Sequence, residues 1–252
     1  MEKSGAKIPI LAHAATEPTV LAADEDGLTL ASRVSRVVRE AIISGELPAG
    51  SPLRFDVLRK RYGISVTPLR EALTLLLSEN LVQQEDQRGF RVTSMSLMEF
   101  DEITGLRLEL ETDAIERSVT LGDEDWEVRL LSARHRLSRA SRAVIDEAGS
   151  VNAAWESRHR ELHFELLSAC QSPWRLRFCQ QLHYQFDRYR RQVGLSPTVS
   201  KTIVSTEENN IVDAALARDG ARAKALLTHH IQTSATEIRQ SLLAGNMKQH
   251  PA

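Results

Sequence analysis

Residues 63–77, GISVTPLREALTLLL, constrain the fold more than any other stretch of the chain. Pro68 has no amide hydrogen and a fixed φ, so it suits the first position of a helix and makes Thr67 before it the natural N-cap. From there Leu69, Ala72, Leu73 and Leu76 recur at i, i+3, i+4 and i+7 as an apolar stripe. Thr67, Arg70, Glu71 and Thr74 fall on the opposite face. Upstream, residues 55–62 (FDVLRKRY) form a short helix-compatible run that stops at Gly63, a residue able to take the left-handed conformation at a helix end. A helix, a Gly turn and a second capped helix make a helix-turn-helix, with an ordinary αα-hairpin as the alternative. Residues 81–85 and 89–93 then read as short strands around the polar tip Glu85-Asp86-Gln87-Arg88, which selects the winged form.

Charge is distributed to match. The chain carries a net −2, yet residues 29–94 hold ten Lys and Arg against seven Asp and Glu, so this stretch is +3 and the remainder −5. A basic patch confined to the helix-turn-helix is the electrostatic footprint of a nucleic-acid reader. The candidate DNA-contacting residues are Ser65, Thr67, Arg70 and Thr74 on the second helix and its turn, with Arg88 and Gly89 at the wing. Arg70, in the first helical turn, is placed to reach base edges, and Arg88 the phosphate backbone.

Length and composition suit two domains of ordinary globular content: 252 residues, 42% hydrophobic and 26% charged. Residues 1–28 lack periodicity and read as a flexible tail. A first helix follows, with Leu30, Val34, Val37, Val38, Ala41 and Ile42 on one face, ending at the turn Gly45-Glu46-Leu47-Pro48-Ala49-Gly50. The winged helix-turn-helix domain is assigned to residues 29–95. At Ser96, with Glu99 three residues on, a capping box opens a second domain over residues 96–243, and 244–252 form a C-terminal tail. Helical periods recur over 99–120, 123–147, 151–171, 173–193, 205–218 and 220–243, separated by turn signals. The fold class is therefore mainly α, a winged helix-turn-helix with a small β wing followed by an all-α bundle. Cys170 and Cys179 fall nine residues apart in one helix-like region, about 13 Å along a helix and too far for a bridge. Reduced thiols, with no long apolar run and no signal-peptide pattern, predict a cytoplasmic protein with no membrane segment.

Within the bundle, residues 151–171 place Trp155, His159, Leu162, His163, Leu166 and Cys170 on one stripe, so two imidazoles at i, i+4 face the core together. Glu208 shares a stripe with Ile211, Val212 and Ala215, and His230 one with Ala223, Leu226 and Leu227. Three imidazoles and a carboxylate on apolar stripes need partners, and one divalent cation would satisfy all four. The alternative is four separately hydrogen-bonded core residues. His229 competes with His230, and His183 and His135 read as ordinary core or surface histidines.

In its motifs the chain resembles the GntR family of bacterial transcription regulators, in the branch with the helical FCD ligand-binding domain. The resemblance covers about residues 29–240 and rests on AIISGELPAGSPL, YGISVTPLREAL, RGFRV, Arg107-x-x-x-Glu111, HRELHFELLSACQSPW and IVDAALARDGARAKALLTHHI, in that order. It implies a homodimer that binds a pseudo-palindromic operator and responds to a small carboxylate-bearing effector, and it makes Arg107 the candidate effector anchor, through a bidentate grip on a carboxylate. An Arg107–Glu111 surface pair is the competing reading. Arg188, Tyr189 and Arg190 either face the pocket or form a solvated helix face. The chain departs from the family pattern twice: Val66 stands where the family has Arg, and His159 and Glu208 stand where the family's metal ligands are Asp and His. The carboxylate and one imidazole have exchanged helices, which leaves the donor set His159, His163, Glu208 and His230, for which Zn²⁺ is the natural ion. A ligand-released repressor is the expected function. The alternatives are a metal-dependent helical enzyme using the same four residues and a helical sensor whose winged domain no longer binds DNA.

Overall fold

The computed structural model describes residues 27–86, 88–140, 153–193 and 197–245. The expected tails lie almost wholly outside these residues, as do the breaks at Gly149-Ser150 and Gly194 and the end of the helix expected to reach residue 147. The chain divides into two compact units, Met1–Glu40 with Ser51–Val92, and Ala41–Gly50 with Thr93–Ala252.

The first unit holds most of α1 (Leu30–Ile43), then β1 (Pro52–Leu53), α2 (Phe55–Tyr62), α3 (Val66–Ser78), β2 (Val82–Glu85) and β3 (Gly89–Val92). Gly63 closes α2 at φ 64. The stripe Leu69, Ala72, Leu73 and Leu76 is fully buried with Val34, Val38, Leu58 and Leu81, and burial of this kind contributes about 1.5–3 kcal/mol per large side chain. Arg39 clamps the end of α3, its Nε and Nη2 donating to Glu79 at 2.7 and 2.6 Å. On α1 the expected stripe is shifted: Leu30 is 39% exposed at the first helical position, whereas Ala31 and Ile43 are buried.

Three details differ from expectation. The cap of α3 is Ser65, not Thr67; Val66 and Thr67 are already helical and Pro68 is the third residue. Proline is tolerated there because none of the first amides has an intrahelical acceptor. The sheet has three strands in the order β1-β3-β2, all antiparallel, with Pro52 facing Arg91 and Glu85 facing Gly89. β1 was not expected; its two residues are too few to show a period, and Pro52 is accommodated because the strand lies at an edge.

The second unit is helical: α4 (Leu97–Leu121), α5 (Glu124–Ala140), α6 (Ala153–Leu167), α7 (Pro173–Gln192), α8 (Pro197–Leu216) and α9 (Gly220–Leu243). The helix α4 is the spine, packing on α6, α7, α8 and α9. Its cap is the expected one, Ser96 Oγ accepting from the Glu99 amide at 3.1 Å. The reciprocal half is different: the Ser96 amide donates to Tyr189 Oη at 3.0 Å. One core gathers Ile115, Trp126, Leu130, Leu162, Leu166, Val212 and Leu227, and a second gathers Phe100, Ile103, Phe186, Tyr189 and Ile238. The helix α8 starts at Pro197, not residue 205, which suits a first-position proline. Its opening residues, PTVSKTIV, are rich in β-branched residues of weak helix propensity, so the sequence carries little helical signal there. The helix α6 ends at Leu167, so Cys170 sits in the turn before α7 and not in one helix with Cys179. Both thiols are free and buried.

Candidate functional site

The outer face of the first unit carries the residues that sequence marked for DNA. Ser65, Thr67, Arg70 and Thr74 are exposed along α3, as are Arg88 and Gly89 at the end of the wing. Gly89 takes φ 86, a left-handed conformation that turns the chain into β3. Arg91 Nε donates to Glu85 Oε1 at 2.9 Å across the two wing strands, leaving Arg88 exposed beyond them. The Arg70 guanidinium lies over the Phe55 ring at 5.3 Å, so its stem is steadied while its head stays exposed. Thr74 Oγ1 donates to its own helix at Arg70 O, 2.9 Å away. Arg59, Lys60 and Arg61 are exposed at the end of α2 and strengthen the basic surface.

In the helical unit the four residues singled out as metal ligands converge. The helix α6 supplies His159 and His163, α8 supplies Glu208 and α9 supplies His230, and all four are buried. The candidate ligand nitrogens of His159, His163 and His230 lie within 4.8 Å of one another. Glu208 Oε1 is 2.8 Å from His159 Nε2 and 3.9 Å from His163 Nε2. Trp155 stacks on His159 at 4.8 Å and fixes the ring plane. Yet the 2.8 Å approach of Glu208 to His159 lacks the alignment of a hydrogen bond, and Glu208 Oε1 and His163 Nε2 have no hydrogen-bond partner, nor has His159 Nδ1, the ring nitrogen other than the one that meets Glu208. Buried polar atoms left without partners are expensive, and a carboxylate with three imidazoles gathered this closely fits a divalent cation. Burial, then the neighbouring His159, His230, His183 and Arg107, hold His163 well below the usual histidine range, so it is a neutral, lone-pair-bearing imidazole.

His230 Nδ1 is 2.9 Å from Glu207 Oε2, a carboxylate that sequence did not single out. Such a partner would orient the imidazole and leave Nε2 free to ligate. The side chain of the competing His229 is 70% exposed, against 8% for His230. His135 is exposed on α5.

Arg107 is not the half-solvated surface residue of the competing reading. It is 3% exposed, its Nε and Nη2 donate to Glu111 at 2.6 and 3.0 Å, and its guanidinium lies 4.2 Å from the Phe186 ring. Nor is the FDRYRR run a solvated face. Phe186, Asp187, Arg188 and Tyr189 are all buried on α7. Arg188 donates to Thr93 O at 3.1 Å and Ser94 O at 3.3 Å, and Tyr189 Oη lies against Glu99 Oε2, so α7 holds the segment through which the chain leaves β3. Arg190 is gripped by Glu156 and by Asp187 Oδ1. His183, read from sequence as ordinary, is 3% exposed with its ring 5.3 Å from that of His163. Its i, i+4 spacing to Asp187 was a signal the sequence offered. Among the described residues, no helix is long and apolar enough to cross a membrane.

Comparison with known proteins agrees with this geometry. Residues 30–92 match the model of the bacterial regulatory proteins of the gntR family, and residues 102–233 match the FCD domain. The chain is 40% identical over 203 residues to an uncharacterized HTH-type transcriptional regulator, BphR of Paraburkholderia xenovorans (strain LB400), covering 81% of this chain and 82% of that one. It is 33% identical over 220 residues to the HTH-type transcriptional repressor GlaR of Escherichia coli (strain K12), covering 84% and 96%. The solved structure of E. coli McbR/YncC shares the fold, with a TM-score of 0.73 at 20% identity over 85% of this chain and 99% of that one. With the FCD match alone spanning more than half of the sequence and two relatives aligned along most of their length, the chain belongs to the GntR family of bacterial regulators in its FCD branch, as a ligand-responsive, DNA-binding transcription regulator.

Proposed function

We propose that the protein is a cytoplasmic, homodimeric repressor that binds a pseudo-palindromic operator and is released when a small carboxylate enters the helical unit beside a bound divalent ion. The observation that carries the reading is the buried convergence of His159, His163, Glu208 and His230, with His163 Nε2 and Glu208 Oε1 left without hydrogen-bond partners, a few ångströms from the buried Arg107–His183 contact. GlaR, the repressor relative, supports the direction of control.

On the DNA side, Arg70 reads base edges from the first turn of α3, Ser65, Thr67 and Thr74 flank it, and Arg88 with the Gly89 backbone meets phosphates from the wing. Val66, where the family carries Arg, makes no charged contact, so the preferred operator differs at that position. In the helical unit, His159, His163, Glu208 and His230 would hold the ion, Zn²⁺ being the natural choice for three nitrogens and one oxygen, and the ion would supply positive charge that attracts a carboxylate. Glu111 fixes the Arg107 guanidinium in place, and Arg107 receives the carboxylate from the other side. Because Arg188 and Tyr189 follow His183 on the same helix and grip residues 93–99, a shift of α7 on effector binding passes to the chain leaving the wing.

The test is footprinting of the metal-loaded protein on the DNA upstream of its own gene, across a panel of small organic acids. The expected result is a symmetric footprint with half-sites about one helical turn apart, lost on addition of one acid. No protection, or a footprint indifferent to every acid, overturns the reading.

A further inference from the structure

Beside the metal cluster, α6 and α7 bury a second set of polar atoms without partners. His183 and Asp187, i, i+4 on α7, are 3% and 2% exposed. Arg107 Nη2 lies 3.4 Å from His183 Nδ1, and a guanidinium can only donate, so Nδ1 carries the lone pair and Nε2 the proton. That N–H has no acceptor. Asp187 Oδ2, 3.7 Å away, is too far for a hydrogen bond and is itself without a hydrogen-bond partner, and Arg160 Nη1 is also 3.7 Å from it. Asp187 Oδ1 is already taken by Arg190 Nε at 3.0 Å.

His183 Nε2–H and Arg160 Nη1, which has other partners as well, therefore approach one acceptor without meeting it directly. An oxygen about 2.8 Å from both members of such a pair bridges them at an angle of roughly 80°. The bridging group must accept from His183 or Arg160 and donate to Asp187, which a hydroxyl does and a carboxylate or methylene does not. It must also be neutral, because the carboxylates of Asp187 and Glu156 are matched by the guanidiniums of Arg160 and Arg190. We infer that His183, Asp187 and Arg160 form a hydroxyl-reading subsite, so that the effector is a hydroxy-carboxylate. The inference rests on the effector reading above and adds the second functional group of the ligand.

The experiment is calorimetric titration of the full-length, metal-loaded protein with matched acids of two to six carbons, each with and without one hydroxyl, among them lactate and propionate, malate and succinate, and 3-hydroxybutyrate and butyrate. In every pair that binds, the hydroxy acid is expected to bind at least about tenfold more tightly, the penalty for leaving buried polar groups unpaired. The ratio should fall below about threefold in His183→Phe, which keeps a ring but loses the Nε2 proton, and in Asp187→Asn, each checked for folding by circular dichroism. Asp187→Asn weakens the contact with Arg190, so His183→Phe decides if it does not fold. Equal binding within a pair, as when an ordered water permanently fills the gap, or a ratio that survives in the folded variants, overturns the subsite alone. Binding by no acid of the series overturns the carboxylate reading and this inference with it.

Discussion

Removing Glu111 from under Arg107 distinguishes a buried pair from a surface one by an order of magnitude. Exposed Arg–Glu pairs at i, i+4 contribute about 0.3–0.5 kcal/mol. Here the two side chains are 3% and 2% exposed, two N–H···O contacts of 2.6 and 3.0 Å join them, and Phe186 covers the guanidinium face. Glu111→Ala strands a buried cation, for which about 3–5 kcal/mol is the usual loss. The double variant Arg107→Met with Glu111→Leu removes both charges and keeps the volume, so it should recover to within about 1 kcal/mol of the parent. Urea unfolding followed by circular dichroism reads both, with the slope unchanged between variants. The double variant should also be folded and metal-loaded yet indifferent to the effector. A loss below about 1 kcal/mol in Glu111→Ala would refute the buried-pair reasoning, and with it the view that Arg107 is held in place for a ligand.

Three further outcomes are expected. Arg70→Ala should lose about 1–3 kcal/mol of operator affinity and relax specificity at one position per half-site, whereas Arg88→Ala should weaken all sequences alike and lower the salt slope by about one, both read by titration against operator and scrambled DNA at several salt concentrations. In the metal-free protein burial depresses both His163 and His183, so the unfolded chain takes up protons that the folded one does not; stability should fall as pH drops below about 6.5, by up to about 1.4 kcal/mol per pH unit for each histidine, and a urea midpoint equal at pH 7.5 and 5.5 would contradict this. Gly122→Ala should lose about 1–3 kcal/mol and lower the melting temperature, because a Cβ there would enter the Trp126 ring and lie 2.7 Å from Ser118 O, although the backbone conformation itself is ordinary.

What could be read from sequence was whatever one element encodes by itself. The stripe of α3, the Gly63 turn, the wing strands and the His159–His163 spacing are single-helix or single-hairpin patterns, and each is found in the structure. Convergence of Glu208 and His230 on α6 required only that apolar stripes face one core. What sequence could not show depends on several helices at once. Arg190 and Asp187 look like surface charges until Glu156 and Arg160 from α6 meet them in turn, and His183 looks ordinary until Arg107 from α4 fixes its tautomer. Ser65 displaced Thr67 as the cap because the first helical turn accepts proline at more than one position, and β1 exists only because β3 offers it an edge.

The most direct test of the account is the metal content of the purified protein and two variants, measured by elemental analysis after gentle purification and reconstitution. About one divalent ion per chain is expected in the parent, lost on acidification because protonated imidazole cannot ligate. Glu208→His, which restores the family's usual ligand on α8, should retain it, and His163→Ala, which removes a ligand at the centre of the cluster, should lose it while remaining folded. Metal absent from the parent after reconstitution, or unchanged in His163→Ala, would contradict the claim that these four residues are a metal centre.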